Sequence, residues 1–213
     1  MRILVTGGAG FIGGHLVERL ITNGHHVTVF DNFSAGKRSN LANVLRSKSL
    51  VIARGDVRRI HRLLPKLERV DRVCHLAALT DVQASIRDPV LTSEVNLTGT
   101  LRVLEAARKL GAERVVFASS AAVYGSPSTF PVTEEVDAAP ISPYGASKAA
   151  SELYCRSFEE NHGIEMVSLR YFNVYGPRQA SSQYSGVISI FASRLLRRLP
   201  LRIFGDGSQS RDF

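Results

Sequence analysis

A cluster of glycines directly after a short apolar segment limits the fold of this chain more than any other feature. The segment ILVT at Ile3–Thr6 predicts a buried strand. The sequence GGAGFIGG that follows has the spacing GxxGxxG, at Gly7, Gly10 and Gly13. In a strand–turn–helix unit such glycines permit a tight turn and let the backbone approach a pyrophosphate, while the helix N-terminus faces the negative charge. The sequence therefore predicts a dinucleotide-binding unit here.

Apolar, β-rich segments alternate with helical patterns along the rest of the chain. The segments that predict parallel strands, covered on both faces, are Ile3–Thr6, His26–Phe30, Leu50–Ala53, Arg72–Ala78, Arg114–Ser119 and Met166–Phe172. The intervening periodicity predicts helices, notably Phe11–Asn23, Val90–Leu110 and Tyr144–Asn161. Such alternation is typical of the α/β class, and we predict a Rossmann-like, doubly wound parallel sheet.

The regular alternation of strand and helix patterns ends near residue 175. We therefore predict a dinucleotide-binding domain over residues 1–175 and part of a substrate-binding region over residues 176–213. In the second part a loop precedes an amphipathic helix that ends near Arg198, and LRIF predicts a short strand at Leu201–Phe204. Because the sequence stops within a loop-like segment, GDGSQSRDF, we interpret this region as the truncated beginning of a smaller C-terminal domain.

An acidic residue at the end of the second predicted strand narrows the choice of dinucleotide. Asp31 ends the segment HVTVFD, where a carboxylate accepts hydrogen bonds from the hydroxyls of an adenosine ribose. The same carboxylate repels a 2′-phosphate, which favours NAD over NADP. Lys37 and Arg38 follow closely and leave NADP open as the less favoured alternative, because cations can accommodate that phosphate.

Composition and charge exclude several classes of partner. Apolar residues make up 44% and charged residues 22% of the chain, as in an ordinary globular protein, and no apolar run is long enough to span a membrane. The net charge of +8 comes from scattered cations rather than a basic stripe, so we expect no nucleic-acid partner. Cys74 and Cys155 lack CxxC spacing; they predict neither disulfides nor a zinc site, and they favour the cytoplasm.

A tyrosine and a lysine in the third helical segment form a candidate catalytic pair. In PYGASK, Tyr144 and Lys148 have the spacing that places both on one helix face. A neighbouring ammonium and a positive nicotinamide ring favour the phenolate, so the pair would act as a general base near neutral pH. Ser120, at the end of a predicted strand, would donate a hydrogen bond to the substrate oxygen or relay its proton. We interpret His75, inside another predicted strand, as structural.

With these residues the chain resembles the extended short-chain dehydrogenase/reductase family, in particular its nucleotide-sugar epimerases. The shared motifs extend over nearly the whole sequence: TGGAGFIG, DN at Asp31–Asn32, GD at Gly55–Asp56, HLAA at His75–Ala78, Asn96 before GT, SSAAVYG, PYGASK and RYFNVYGPRQ. The resemblance implies an isomerase of carbohydrate metabolism that uses NAD and takes a UDP-sugar as substrate. It also implies a homodimer packed through two helices, here Val90–Leu110 and Tyr144–Asn161.

The resemblance also assigns residues to the cofactor and to the substrate. On the NAD side it implies Gly7, Gly10, Phe11, Ile12, Gly13, Asp31, Asn32, Asp56, Val57, Leu76, Ala77, Ala78, Asn96, Tyr144, Lys148 and Tyr171. Of these, Asp56 and Val57 would contact the adenine, and Tyr171 would lie against the nicotinamide. On the substrate side it implies Ser120, Tyr144, Asn173, Gly186, Val187 and Arg211, the last as a diphosphate-binding arginine. Thr80 departs from the pattern, since some relatives carry a phosphate-binding lysine there.

The residues directly after Ser120 separate the reactions known in this family. Members that dehydrate or decarboxylate the sugar need further acid/base groups, which they carry as TDE or SE before VYG or LYG. This chain has Ala121 and Ala122 there, and alanine cannot exchange a proton. We therefore hypothesise 4-epimerisation of a UDP-sugar, either UDP-glucose/UDP-galactose or the N-acetylated forms, through a transient 4-keto sugar. A UDP-glucuronate 4-epimerase, a nucleotide-sugar reductase and a catalytically weak NAD-binding fragment stay open as alternatives.

Overall fold

One parallel sheet positions all other parts of the molecule. The structure is a computed structural model that describes residues 1–179, 186–203 and 205–208. Its strands within those ranges are β1 (Arg2–Thr6), β2 (His26–Asp31), β3 (Leu50–Arg54), β4 (Arg72–His75), β5 (Arg114–Ser120) and β6 (Glu165–Tyr171). They follow the order β3–β2–β1–β4–β5–β6, and β1 pairs parallel with both β2 and β4. The winding therefore reverses between β1 and β4, which is where doubly wound sheets bind ligands, and the predicted fold class is confirmed.

Helices connect the strands and cover the sheet. Those described are α1 (Phe11–Thr22), α2 (Val82–Arg87), α3 (Pro89–Ser93), α4 (Gly99–Lys109), α5 (Pro143–His162) and α6 (Val187–Leu196). Short 3₁₀ helices occur at Arg38–Val44, Val57–Arg62, Leu64–Lys66 and Ala121–Tyr124, and a π-helical turn occurs at Glu94–Thr98. Among the residues described, no helix combines the length and the apolar character that crossing a membrane would need.

Two apolar cores lie on the two faces of the sheet. Successive residues of β1 enter different cores, because side chains of a strand alternate between its faces. Leu4 packs with Phe117 and other buried residues of one core. Ile3 and Val5 pack with Val29 in the other core. The near-continuous apolar strands of the sequence are thus explained by burial on both sides.

Two predicted elements in the first part of the chain have different bounds in the structure. The fourth strand ends at His75 and not at Ala78, because the next amide groups turn to the end of β1: Ala77 N–H donates to the Thr6 hydroxyl at 3.3 Å. The predicted helix Val90–Leu110 is two α-helical segments joined by the π-helical turn. Side-chain periodicity detected the helical region but not the extra residue that such a turn inserts.

The short strand predicted at Leu201–Phe204 is wrong for the residues that the structure describes. Leu201–Ile203 are irregular, and Phe204 lies outside the described residues. A strand needs a neighbour for its hydrogen bonds, and the chain instead turns at Gly205, which has φ of +79°. The chain divides into two compact units, Met1–Arg170 and Tyr171–Phe213, and our domain limits at residue 175 stay a prediction.

Candidate functional site

The glycine turn forms a tightly packed backbone cradle at the carboxyl end of β1. Gly7 adopts a left-handed φ of +69°, and its N–H donates to the carbonyl of Phe30 at 2.9 Å. A Cβ on Gly7 would lie 2.7 Å from the backbone nitrogen of Ala77, and one on Gly13 would overlap the Gly7 carbonyl oxygen. Gly10 is the N-cap of α1 and supplies no side-chain cap for its first N–H groups. This cradle fits a pyrophosphate held by backbone N–H groups.

Asp31 is buried beside this turn and organises it. The residue is 7% exposed, and both carboxylate oxygens accept backbone hydrogen bonds, from Ala9 N–H at 2.9 Å and from Phe33 N–H at 2.8 Å. Each oxygen keeps a second lone pair, which leaves acceptor capacity for ribose hydroxyls. Asp31 therefore fits the adenosine end of NAD and also fixes the glycine turn against the loop that follows β2.

The segment after β2 folds back over the glycine turn. The carbonyl of Ala9 accepts hydrogen bonds from Lys37 N–H at 2.9 Å and from the side-chain amide of Asn40 at 2.8 Å. The side-chain oxygen of Asn32 accepts from Ser34, through its N–H at 2.9 Å and its hydroxyl at 2.8 Å. The segment is therefore held by its own hydrogen bonds next to the predicted adenosine site.

Two residues predicted to contact the adenine have partners within the protein. Both oxygens of Asp56 accept hydrogen bonds from the Arg58 guanidinium, at 3.0 and 2.7 Å, and this pairing holds the pKa of the carboxyl below its ordinary value. Val57 is 6% exposed and packs in the first core, against Gly99. The contact of both residues with adenine stays a prediction, and what the geometry assigns to them is stabilisation of the segment after β3.

A directional chain of hydrogen bonds runs beneath the site from β1 to α4. The Thr100 hydroxyl donates to the carbonyl of Asn96 at 2.5 Å, so it must accept from His75 Nε2, at 2.9 Å. His75 is therefore a neutral ring protonated on Nε2, and its Nδ1 accepts from the Thr6 hydroxyl at 2.6 Å. Complete burial lowers the pKa of His75 to about 3, and the nearby charge of Lys148 adds to this effect. These contacts support the structural interpretation of His75.

Asn96 joins the loop after β4 to α5. Its side-chain oxygen accepts from Leu79 N–H at 2.8 Å, while its amide donates to the Leu79 carbonyl at 2.9 Å and to the Ser147 hydroxyl at 3.1 Å. Asn96 as a whole is 1% exposed. Asn96 thus sets the distance between the predicted cofactor channel at Leu76–Ala78 and the helix that carries Tyr144.

The three predicted catalytic residues lie together between β5 and α5. Ser120 ends β5, and its hydroxyl shares a hydrogen bond with the phenol of Tyr144, in the first turn of α5. One turn along the same face, Lys148 Nζ lies 6.0 Å from the centroid of the tyrosine ring. It donates to the Ala118 carbonyl at 2.7 Å and lies 4.8 Å from the ring centroid of Phe117. The serine, phenol and ammonium therefore converge as the sequence indicates.

Burial controls the protonation of this pair more than the sequence suggests. Desolvation raises the pKa of Tyr144 above its ordinary value, and only the hydrogen bond with Ser120 acts to lower it. Desolvation also lowers the pKa of Lys148 to about 8. The expected effect of the ammonium and the nicotinamide ring on the phenolate stays a prediction; in this structure Lys148 donates to a backbone carbonyl, and both side chains are buried.

One remaining predicted cofactor residue, Tyr171, and the remaining predicted substrate residues belong to the second unit. Tyr171 is the last residue of β6 and Asn173 follows it, while Gly186 is the N-cap of α6 and Val187 is its first residue. Their predicted roles are not tested by these positions. Arg211 lies outside the described residues. Over the parts of the chain that the structure does describe, no group of histidine, cysteine, aspartate and glutamate side chains could hold a metal ion.

Several residues of the site escaped the sequence analysis. Ser85 on α2 accepts a hydrogen bond from Tyr144 N–H at 3.2 Å, and Ser147 shares its helix turn with Lys148. Glu152 lies four positions after Lys148 and pairs with Arg170. The spacing of Tyr144, Lys148 and Glu152 on one helix face was the signal that could have identified the last of these.

Comparison with known proteins gives a single family. The family model described as "NAD dependent epimerase/dehydratase family" matches residues 3–213. The UDP-glucose 4-epimerase of Mycolicibacterium smegmatis is 39% identical over 216 residues, which cover 100% of this chain and 69% of that protein.

Solved structures extend the similarity to more than one reaction. A UDP-N-acetylglucosamine 4-epimerase from Methanobrevibacter ruminantium has a TM-score of 0.94 and 43% identity, over 100% of this chain and 68% of that one. A dTDP-glucose 4,6-dehydratase from Streptomyces venezuelae, with NAD bound, has a TM-score of 0.87 and 38% identity, over 99% and 67%. Overall similarity therefore leaves the reaction to be argued from the site.

Proposed function

The chain belongs to the NAD-dependent epimerase/dehydratase family, and from this we infer that it interconverts two UDP-sugars that differ in configuration at C4. NAD is the cofactor of this chain, and the proteins to which it is similar are named for reactions of nucleotide sugars. UDP-glucose and UDP-galactose, or their N-acetylated forms, are the proposed substrates. The choice of epimerisation over the other reactions of the family depends on a single local feature of the site.

That feature is the absence of an ionisable side chain directly after Ser120. The 3₁₀ turn Ala121–Tyr124 begins there, and Ala122 N–H donates to the Ser120 hydroxyl at 3.2 Å. Dehydration and decarboxylation would each need an additional acid or base at Ala121 or Ala122. Epimerisation needs only one base, a positioned hydroxyl and a hydride carrier that is regenerated. The residues present match that shorter set of requirements.

Each residue of the set has a proposed task. Tyr144 takes the proton of the C4 hydroxyl and returns it after the 4-keto sugar has rotated within the site. Ser120 holds the sugar oxygen and, by its hydrogen bond with the phenol, lowers the pKa of Tyr144. Lys148 offers its ammonium to the nicotinamide ribose. Bound NAD would supply a reversible hydride acceptor for C4, and its positive charge would favour the phenolate of Tyr144.

The cofactor would lie along the carboxyl ends of β1, β2 and β4. The glycine turn with Phe11 and Ile12 would hold the pyrophosphate, and Asp31 would accept the adenosine ribose hydroxyls. The close approach of Ala77 to Gly7 would place Leu76–Ala78 along the cofactor channel. Tyr171 and Asn173 would act at the nicotinamide and at the substrate diphosphate, as the family resemblance implies.

We also propose that the protein is a homodimer that packs through α3 and α5. Large apolar side chains are exposed on these neighbouring helices: Val90 is 69% exposed, Leu153 is 71% exposed, and Tyr154 is 42% exposed. A second copy would cover them, since the core positions of homodimer interfaces are apolar.

The purified chain should convert UDP-galactose, or UDP-N-acetylglucosamine, to its C4 epimer without added cofactor. Co-purified NAD should appear in mass spectra of the denatured protein. Tyr144→Phe should keep NAD binding but lower turnover by about 100-fold or more, because it lacks the group that exchanges the proton. Activity near that of the unmodified chain in this variant would exclude Tyr144 as the base.

The same assay separates the alternatives. A strict requirement for added NADH or NADPH would identify a reductase, and a product that has lost water or carbon dioxide would contradict epimerisation. Conversion of UDP-glucuronate in preference to the neutral sugars would change the substrate but not the reaction. Bound NAD without turnover of any UDP-sugar would leave only an NAD-binding chain.

A further inference from the structure

A half-buried ionic cluster lies directly behind the catalytic residues and plays no part in the proposed proton transfer. Its centre is Glu152 on α5, one helical turn beyond Lys148. Both carboxylate oxygens of Glu152 bind the Arg170 guanidinium, with distances of 3.1, 3.2 and 2.8 Å, and one oxygen also accepts from the Ser119 hydroxyl. The two charged side chains are 14% and 24% exposed. Such a bidentate, largely desolvated pair is rigid in a way that a surface ion pair is not.

The cluster holds the strand end that carries Ser120 from two sides. Lys148 binds the carbonyl of Ala118, and Glu152 binds the hydroxyl of Ser119, so successive turns of α5 hold successive residues of β5. On the far side, the Arg170 guanidinium lies 4.7 Å from the ring centroid of Tyr124, which ends the 3₁₀ turn after Ser120. The position of Ser120 is therefore set by groups that surround Glu152.

Lys148 is buried, and Glu152 is the nearby carboxylate that favours its charged form. Lys148 is 3% exposed, and its hydrogen bond to Ala118 goes to a neutral carbonyl. The titratable and charged groups around it are Tyr144, Glu152 and Cys155 on α5, His75 on β4, Arg170 on β6 and Tyr124 in the 3₁₀ turn. Of these, Cys155 and then Glu152 act to raise the pKa of Lys148 against the effect of burial. Burial raises the pKa of the Cys155 thiol itself to about 12, so Cys155 is neutral at the pH where Lys148 titrates, and Glu152 is the group that carries a negative charge there.

We infer that Glu152 is a positioning residue, whose bridge between Ser119 and Arg170 fixes the Ser120 end of β5 against α5 and places a carboxylate one helical turn beyond the buried Lys148 ammonium. The inference rests on the proposed function only for the importance of that ammonium to catalysis. Arg170 has the complementary task, because it orients the carboxylate and neutralises part of its charge. Neither side chain touches the substrate in this scheme.

The two partners should therefore affect Lys148 in opposite directions. Glu152→Gln keeps the shape and an oxygen acceptor for Ser119 but removes the negative charge, so the pKa of Lys148 should fall by about one unit. Arg170→Met removes the cation that offsets the charge of Glu152, so the pKa of Lys148 should rise. A purely structural role would loosen the site in both variants without producing shifts of opposite sign.

The test is an NMR titration of the chain grown with isotope-labelled lysine. The sequence contains five lysines, so the resonances are few, and Lys148→Arg identifies the one of interest. The unmodified chain should give a midpoint at about pH 8 for Lys148. Glu105→Gln is the matched control, because it removes a carboxylate from an exposed pair with Arg108 on α4 and should leave that midpoint unchanged.

An unchanged midpoint in Glu152→Gln, or shifts of the same sign in both variants, would overturn the inference. If Glu152→Gln does not fold, the upward shift in Arg170→Met still decides the question. The titration needs no turnover, so its outcome is separate from the epimerase assay. If the epimerase assay succeeds as well, the alkaline limb of kcat/KM should move with the NMR midpoint in each variant.

Discussion

Replacement of Gly7 by alanine separates two reasons for a glycine in the phosphate-binding turn. A left-handed φ costs a non-glycine residue about 1 kcal/mol, and the loss of chain entropy in the unfolded state offsets about half of this. The Cβ would also lie 2.7 Å from Ala77 nitrogen and 2.9 Å from Ala77 Cα, and those backbone atoms cannot easily move. Overpacking of this kind costs about 2 kcal/mol more.

Gly24 provides the matched control for this variant. It has a similar φ of +80°, at the end of α1, but a Cβ there would meet nothing within 4 Å. Gly24→Ala should therefore show the backbone cost alone, and Gly7→Ala should be less stable by about 2 kcal/mol, which corresponds to a Tm about 6 °C lower. Thermal unfolding measures the difference, and calorimetric titration should show weaker NAD binding for Gly7→Ala only. Equal Tm values for the two variants would refute the close approach of the segment after β4.

Three further variants test other parts of the structure. Asp31→Asn replaces an oxygen that accepts a backbone N–H with an amide that cannot, so chemical denaturation without NAD should show a loss of about 1–2 kcal/mol; no loss would mean that Asp31 serves the cofactor alone. His75 has a pKa of about 3 in the folded chain, below its ordinary value of 6.5. The neutral ring therefore makes its full contribution to the free energy of unfolding above about pH 6.5, and this contribution should fall by about 1.4 kcal/mol for each pH unit below that value. His75→Gln should flatten this dependence in denaturation curves between about pH 7 and about pH 5, and an unchanged slope would contradict the neutral ring. Leu153→Glu should convert the proposed dimer to a monomer in sedimentation velocity without loss of stability, whereas a monomeric unmodified chain would contradict the dimer itself.

The order of strands and helices was predictable because each depends on local pattern. Continuous apolar segments such as HVTVF identify parallel strands buried on both faces, and the glycine turn after β1 identifies where the winding begins. The convergence of Tyr144 and Lys148 was predictable for a similar reason, since helix geometry fixes residues four apart on one face. Ser120 could be added because carboxyl ends of parallel strands meet at one edge of the sheet.

The pKa values and ion pairs of the site could not be predicted from the sequence. The pKa of Tyr144 depends on how deeply the first turn of α5 is buried, and the orientation of Lys148 depends on a carbonyl two residues before Ser120. Arg170 lies 18 positions after Glu152 and on β6 rather than on α5, so helix periodicity gives no signal of their pairing. The pairing of Asp56 with Arg58 was likewise not indicated by its motif, and the predicted contact of Asp56 with adenine stays a prediction.

The π-helical turn at Glu94–Thr98 also fixes how this region can change in length. One extra residue in a helix advances the following side chains by about 100° around the axis, so α3 and α4 have different angular registers. Deletion of a single residue there would restore a regular helix, but it would rotate Asn96 away from Leu79 and Ser147, or Thr100 away from His75. Deletion of one residue in this turn should therefore be tolerated far less well than substitution. In an alignment of related chains, a gap at this turn would indicate that the loop after β4 is joined to α5 by different contacts.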